Sequence, residues 1–264
     1  MARAALSGLL IGLILLVPAV QAQTAAPRTF EDSMAQRSLA CTHCHGAGGR
    51  AAPDGYHPRI AGKPAIYLYN QLLNFRDGRR HYGPMTQLLA PLSDEYLLAI
   101  AEHFAALQLP YPAPLPHKSS AQLLERGRTL AYQGDASRQL QACAQCHGQS
   151  LTGMLPHVPG LLGLPRDYLN AQLGAWRTGK RRAHAPDCMA DIAKRLQPQD
   201  IEALASWLAA QAVPAGSAGA PASAPASAPT SASTSAPTSA SASAPRGAQN
   251  PATACGTARS PQRP

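Results

Sequence analysis

Large apolar side chains are scarce in this 264-residue chain: aromatic residues make up 5 % of it, too few to fill two ordinary cores. β-Branched residues are equally thin. Between Gln23 and Val213 there are two valines, Val158 and Val213, and five isoleucines, which argues against a sheet-built core and for an all-α fold. Acidic residues are few, 14 against 23 basic ones. Because Arg3, Arg246, Arg259 and Arg263 lie near the two ends, 19 of those 23 basic residues fall in the middle, which is only mildly basic. Nothing else points to nucleic acid. Long apolar runs are also missing. The stretch from Leu9 to Val17 is too short for a comfortable bilayer span. With Arg3 ahead of it and Val20-Gln21-Ala22 behind, residues 1–22 read as a secretory signal cleaved after Ala22. The expected localisation is the periplasm, with no transmembrane helix after cleavage; peripheral membrane association and an uncleaved anchor stay open.

What the chain does have is two copies of one motif, Cys41-Thr42-His43-Cys44-His45 and Cys143-Ala144-Gln145-Cys146-His147. CxxCH is the signature of c-type haem attachment. On a helix the positions i, i+3 and i+4 share a face, so two thiols can tether one porphyrin while the histidine points at its iron. A zinc ribbon would hold its two CxxC pairs closer together, and neither zinc nor thiol redox chemistry explains a histidine after both pairs. Two covalently attached haem c groups are therefore expected. Each is a large apolar filler that offsets the shortage of aromatic residues, and four propionates would offset part of the basic charge.

The second half repeats the first. Gly62, Pro64, Tyr67, Leu68, Gln71, Leu72, Arg76 and Gly78 return 101 positions later as Gly163, Pro165, Tyr168, Leu169, Gln172, Leu173, Arg177 and Gly179, with Trp176 answering Phe75. Leu68/Leu72/Phe75 and Leu169/Leu173/Trp176 fall at i, i+4, i+7 on a helix that Gly78 or Gly179 ends. At an offset of 104, Met189 matches Met85 and Leu196 matches Leu92. A closing helix follows in each half, capped by Ser93 in the first and begun by Pro198 in the second. These patterns divide the chain into residues 1–22 (signal), 23–109 (first domain), 110–118 (proline-rich linker), 119–213 (second domain) and 214–264. The last segment is an Ala/Ser/Pro-rich tail that cannot offset its ordering entropy and is expected to be disordered.

Met85 and Met189 are the repeat-matched candidates for sixth iron ligands, on loops 41 and 43 residues after the second cysteine of their motifs. His81 and His184 lie on the same loops and could ligate instead, giving two lower-potential haems, but each follows a basic run and reads as a surface residue. Cys188 is adjacent to Met189 and has three outcomes: a thiolate ligand, a Cys188 to Cys255 disulfide over the second haem, or an unpaired thiol, with Cys255 then unpaired too or in an intermolecular bridge.

With two CxxCH motifs, an internal repeat and a Met before each closing helix, the chain resembles the di-haem cytochrome c4 family, made of two class I cytochrome c folds. The resemblance covers about Arg28 to Val213 and rests on Cys41, Cys44, His45, Cys143, Cys146, His147, Met85 and Met189. It implies two tandem cytochrome c-like domains and periplasmic one-electron transfer between a respiratory donor, a quinol-oxidising complex or a dehydrogenase, and an acceptor such as a terminal oxidase. Gly127 and Tyr132 look like the positions where the family's first helix crosses its last. The connector, the tail and Cys188 depart from the pattern. The expected partners are redox proteins with acidic docking surfaces, met by basic loops at Arg76 to His81 and Arg177 to His184. Two alternatives stay open: a haem-bearing subunit of a periplasmic dehydrogenase complex, and a di-haem peroxidase or sulfur-compound oxidase using Cys188 or an open haem.

Overall fold

The first motif lies on a broken helical stretch. Helix α1 (Met34–Arg37) starts at Ser33, whose hydroxyl accepts from the Gln36 amide, and Ser38 separates it from α2 (Leu39–His45). The computed structural model describes residues 31–114, 116, 118–214 and 255–256. The expected signal and nearly all of the tail lie outside them. Beyond α2 the chain reverses at Gly46, φ 75°, where a Cβ would collide with the Ala51 carbonyl, so only glycine fits.

Helix α3 (Ala65–Arg76) follows Pro64 and buries Leu68, Leu73 and Phe75, with Leu72 packed at the edge of the same core. Asp77 closes it, and Gly78 then takes φ 74°, as Gly179 does in the second half. The short α4 (Gly83–Leu89) leads to α5 (Asp94–Ala106), whose N-cap Ser93 accepts from the Tyr96 amide at 3.3 Å. Asp94 and Glu95 sit in its first turn, where the helix dipole favours them. Leu97, Ile100, Ala101 and Phe104 form its buried stripe against α3. Burying side chains of this kind is worth about 1.5–3 kcal/mol each for the larger ones.

The second half has the same order with an unbroken first helix, α6 (Ala121–Tyr132), then α7 (Cys143–His147), α8 (Arg166–Arg177), α9 (Cys188–Arg195) and α10 (Pro198–Ala209). Between α7 and α8 lies an element the composition did not predict, an antiparallel pair of two-residue strands, β1 (Gly153–Met154) and β2 (Val158–Pro159). At Gly127 α6 crosses α10, close enough for a Cβ to fall 2.6 Å from Trp207 Cβ. Tyr132 meets the Trp207 ring edge-on at 5.6 Å. Leu130, Leu169, Leu196, Leu204 and Leu208 fill the second core. The described residues from 33 to 214 cluster as one compact unit with a core in each half.

The proline-rich connector is non-helical where it is described and is anchored at its start. Buried Arg59 donates to the Leu109 and Pro110 carbonyls and lies 4.0 Å over the Tyr111 ring, while Tyr111 packs against Gly163 of the other half.

Candidate haem-binding site

On α2 and α7 the motif residues share a helical face, and both histidines are buried, His45 at 8 % exposure and His147 at 7 %. Their Nδ1 atoms meet the repeat-equivalent carbonyls of Pro58 and Pro159 at 2.7 and 2.8 Å. An Nδ1–H that donates there fixes the ring and leaves the Nε2 lone pair for a metal. Burial holds both imidazoles below their ordinary pKa, so the neutral form needed for ligation is favoured at neutral pH. It also pushes the Cys143 thiol up to about 11 and raises Cys41 and Cys146. None of the four motif cysteines is in a disulfide.

One cavity of about 1010 Å³ receives residues of both halves. Cys41, Cys44, His45 and Met85 line it, as do Cys143, Cys146, His147 and Met189. All eight residues singled out from the sequence therefore face one space. The two methionines sit in the first turns of α4 and α9 rather than on loops, because Pro84 near the start of α4 and the Asp187 cap of α9 begin short helices there. Exposed His81 also reaches the cavity, whereas His184 is not among its lining residues.

Where the halves meet, two arginines missed in the sequence are buried: Arg80 at 8 % and Arg181 at 4 % exposure. Their backbones form an antiparallel bridge, and the Arg182 amide donates to the Arg79 carbonyl at 2.7 Å. Gln71 Oε1 accepts from Arg80 at 3.1 Å and from Arg181 at 2.9 Å; Gln172 Oε1 accepts from the same pair at 2.8 and 2.7 Å. Arg80 also donates to Tyr168 at 3.0 Å. Arg80 lies over Phe75 and Arg181 over Trp176, at 4.4 and 3.6 Å. Gln71/Gln172, Phe75/Trp176 and Arg80/Arg181 are all repeat pairs 101 residues apart, so extending the repeat two positions past Gly78 would have found the arginines.

Among the described residues no carboxylate pairs with either guanidinium. Burial, then the adjacent Arg80, depress Arg181 to about 10, so it stays charged at neutral pH. Trp176 Nε1, also at the cavity, is buried without a partner. Two buried cations and an orphaned indole N–H beside an apolar cavity fit a flat apolar group bearing carboxylates, as haem does.

Two expectations change. The first basic loop is not an open docking rim, since Arg76 pairs with Asp94 at 2.7 Å and with Asp77 and Arg79 pairs with Asp77, and one arginine of each loop, Arg80 and Arg181, is buried between the halves. Arg177, Lys180 and Arg182 remain exposed. Of the three outcomes for Cys188, the structure has the disulfide with Cys255, Cα atoms 5.6 Å apart. Oxidised sulfur is no thiolate, so the Cys188-ligated haem is set aside. The bond holds Cys255 and Gly256 at the cavity wall, where the Gly256 amide donates to the Pro186 carbonyl at 2.9 Å.

The cytochrome c family model matches residues 124–212. A thiosulfate dehydrogenase electron acceptor of Thiomonas intermedia is 37 % identical over 66 % of this chain and 79 % of its own length. Cytochrome c4 of Pseudomonas aeruginosa is 32 % identical over 65 % of this chain and 84 % of its own. Among solved structures, a thiosulfate dehydrogenase from Marichromatium purpuratum superposes with a TM-score of 0.60 at 32 % identity; the match covers 68 % of this chain but only 40 % of that one. With paired CxxCH helices in tandem helical halves around one carboxylate-seeking cavity, and with these relatives, the chain belongs to the di-haem cytochrome c4 family of electron-transfer proteins.

Proposed function

We propose that this protein is a periplasmic electron carrier, not itself an enzyme, and that it accepts single electrons from a dehydrogenase of reduced sulfur compounds such as thiosulfate. In this reading Cys41 and Cys44 tether one haem and Cys143 and Cys146 the other. His45 and His147 are the proximal ligands, Met85 and Met189 the sixth ligands, and residues 23–109 and 119–213 the two haem domains. Haem, when bound, supplies a one-electron Fe(III)/Fe(II) couple that a thioether ligand shifts toward the reduced form. The protein's own part is fixed geometry: Pro58 and Pro159 hold the imidazoles, Arg80 and Arg181 neutralise carboxylates, and the apolar walls exclude water.

The observation that carries the reading is that Met85 and Met189 line the same cavity as the two motifs while Cys188 is held in a disulfide. Methionine at both sixth positions leaves no open coordination site for catalysis. The choice of donor is supported by likeness to a protein named as a thiosulfate dehydrogenase electron acceptor. Near-infrared magnetic circular dichroism of the ferric, haem-loaded protein tests the ligands: two His/Met haems are expected, and a high-spin or thiolate-ligated second haem would refute the assignment. Thiosulfate alone should leave the ferric protein oxidised, whereas thiosulfate with a thiosulfate dehydrogenase should reduce it.

A further inference from the structure

Arg59, Lys63 and Asp200 are buried charges with no charged counterpart in the repeat, and of them Lys63 reaches across to the opposite half. Lys63, in the loop before α3, is 5 % exposed and lines the cavity. Its Nζ crosses to the other half and donates to the Gly160 carbonyl at 3.3 Å. Gly160 directly follows Pro159, whose carbonyl receives His147 Nδ1. The first half therefore places an ammonium on the loop that orients the second half's histidine. Among the described residues there is no reciprocal contact, because the position matching Lys63 at the repeat offset of 101 is Leu164.

The groups around Lys63 do not cancel its charge. Arg59 beside it is another cation, bound to backbone carbonyls and stacked on Tyr111. The Tyr111 ring centroid is 6.0 Å from Nζ. No carboxylate among the described residues pairs with it. Burial, then Arg59, lower the Lys63 pKa to about 8, which keeps most of it protonated at neutral pH. On the first half the histidine is held by Pro58, and the residue matching Gly160 there is Arg59, which turns to the connector rather than across to the other half.

We propose that Lys63 is a positioning residue by which the first half raises the reduction potential of the haem held at Cys143, Cys146 and His147, with no matching effect on the first haem. The proposal rests on the haem assignments given above. Reduction adds one electron to the iron and breaks no bond, so a fixed nearby cation favours the reduced form. By pinning the Gly160 carbonyl it also holds the loop against which His147 is oriented. A lysine without a repeat counterpart thereby acts on one of two repeat-related haems.

The test is a spectroelectrochemical titration of the full haem-loaded chain as wild type, Lys63→Gln and Lys63→Arg, with each wave assigned through haem methyl NMR resonances. The expected result is a second-haem wave that shifts to lower potential in Lys63→Gln, stays near the wild-type position in Lys63→Arg, and leaves the first-haem wave in place in both. Should Lys63→Gln load fewer than two haems, Lys63→Met, which keeps the apolar stem, is read instead. A second-haem potential unmoved by loss of the charge, or a shift in the first haem alone, overturns the proposal. Wild-type protein with fewer than two haems per chain would instead bring down the haem assignments beneath it, so the two failures are distinguishable.

Discussion

Replacing Gly127 by alanine should destabilise the second half because α6 and α10 meet there without a side chain between them. An alanine Cβ would overlap the Ala203 carbonyl oxygen and stand 2.6 Å from Trp207 Cβ and 2.8 Å from the Ala203 carbonyl carbon. Unbonded carbons settle at about 3.5–4.0 Å, so the helices must part by about 1 Å. Overpacking costs about 1–3 kcal/mol, and the upper end applies where the obstacle is backbone that cannot change rotamer. Alanine returns about 1 kcal/mol of helix propensity, leaving a net loss of about 2 kcal/mol. Gly174 in α8 is the internal control: a Cβ there meets nothing within 4 Å. Gly174→Ala should therefore stabilise by about 0.5–1 kcal/mol. Thermal unfolding of the haem-loaded proteins followed by far-ultraviolet circular dichroism reads both, with the Gly127→Ala midpoint about 4–8 °C lower and the Gly174→Ala midpoint slightly higher. If Gly127→Ala were as stable as wild type, the close crossing would not be what holds these helices together.

Two other outcomes follow from charge and sulfur. Burial alone would raise the Asp200 pKa, but Arg138, the Gln197 amide and Arg126 outweigh it and leave it lowered; hydrogen bonds from Ser137, Arg138 and Arg126 lower Asp135 further. A carboxylate with a depressed folded pKa contributes stability above its unfolded value of about 3.9 and loses it as pH falls through the folded value. Urea unfolding from pH 5 down to pH 2 should accordingly show a falling midpoint. In Asp200→Asn that fall should be shallower, from a starting stability about 2–3 kcal/mol lower; that figure is reduced from the fully buried range because Arg126 is 41 % exposed. The Cys188 to Cys255 bond predicts that neither residue takes up iodoacetamide until the denatured protein is reduced, and labelling of Cys188 without reductant would contradict it.

Much of this architecture is legible in the sequence because its chemistry is local. CxxCH fits one helical turn, the 101-residue repeat exposes the shared helices, and Ser93 and Pro198 mark helix starts that depend on neighbours in the chain. What escapes is whatever needs the two halves brought together. Arg79-Arg80 and Lys180-Arg181-Arg182 read as solvated basic runs, yet the middle arginine of the second and the last of the first turn inward, since pairing with Gln71 and Gln172 is available only once the repeats face each other. Lys63 carries no local signature at all. Likewise the choice among three fates for Cys188 depends on where a residue 67 positions later returns, which spacing alone does not reveal.

The paired arginines and glutamines at the seam form the self-complementary pattern of a twofold homodimer, residue i of one half meeting j of the other and j meeting i. Here both protomers are one polypeptide. The connector turns what would be a bimolecular association into an intramolecular one, with an effective concentration on the order of millimolar, so a small polar seam suffices where a free dimer would need a broad apolar one. In a true homodimer every substitution appears twice and the two redox centres stay equivalent. Fusion lifts that restriction: Lys63 can face Gly160 with only Leu164 in the mirror position, and the second half's wall of the cavity can carry a disulfide that the first half lacks. The molecule keeps the contact geometry of a symmetric pair while its two centres are free to differ.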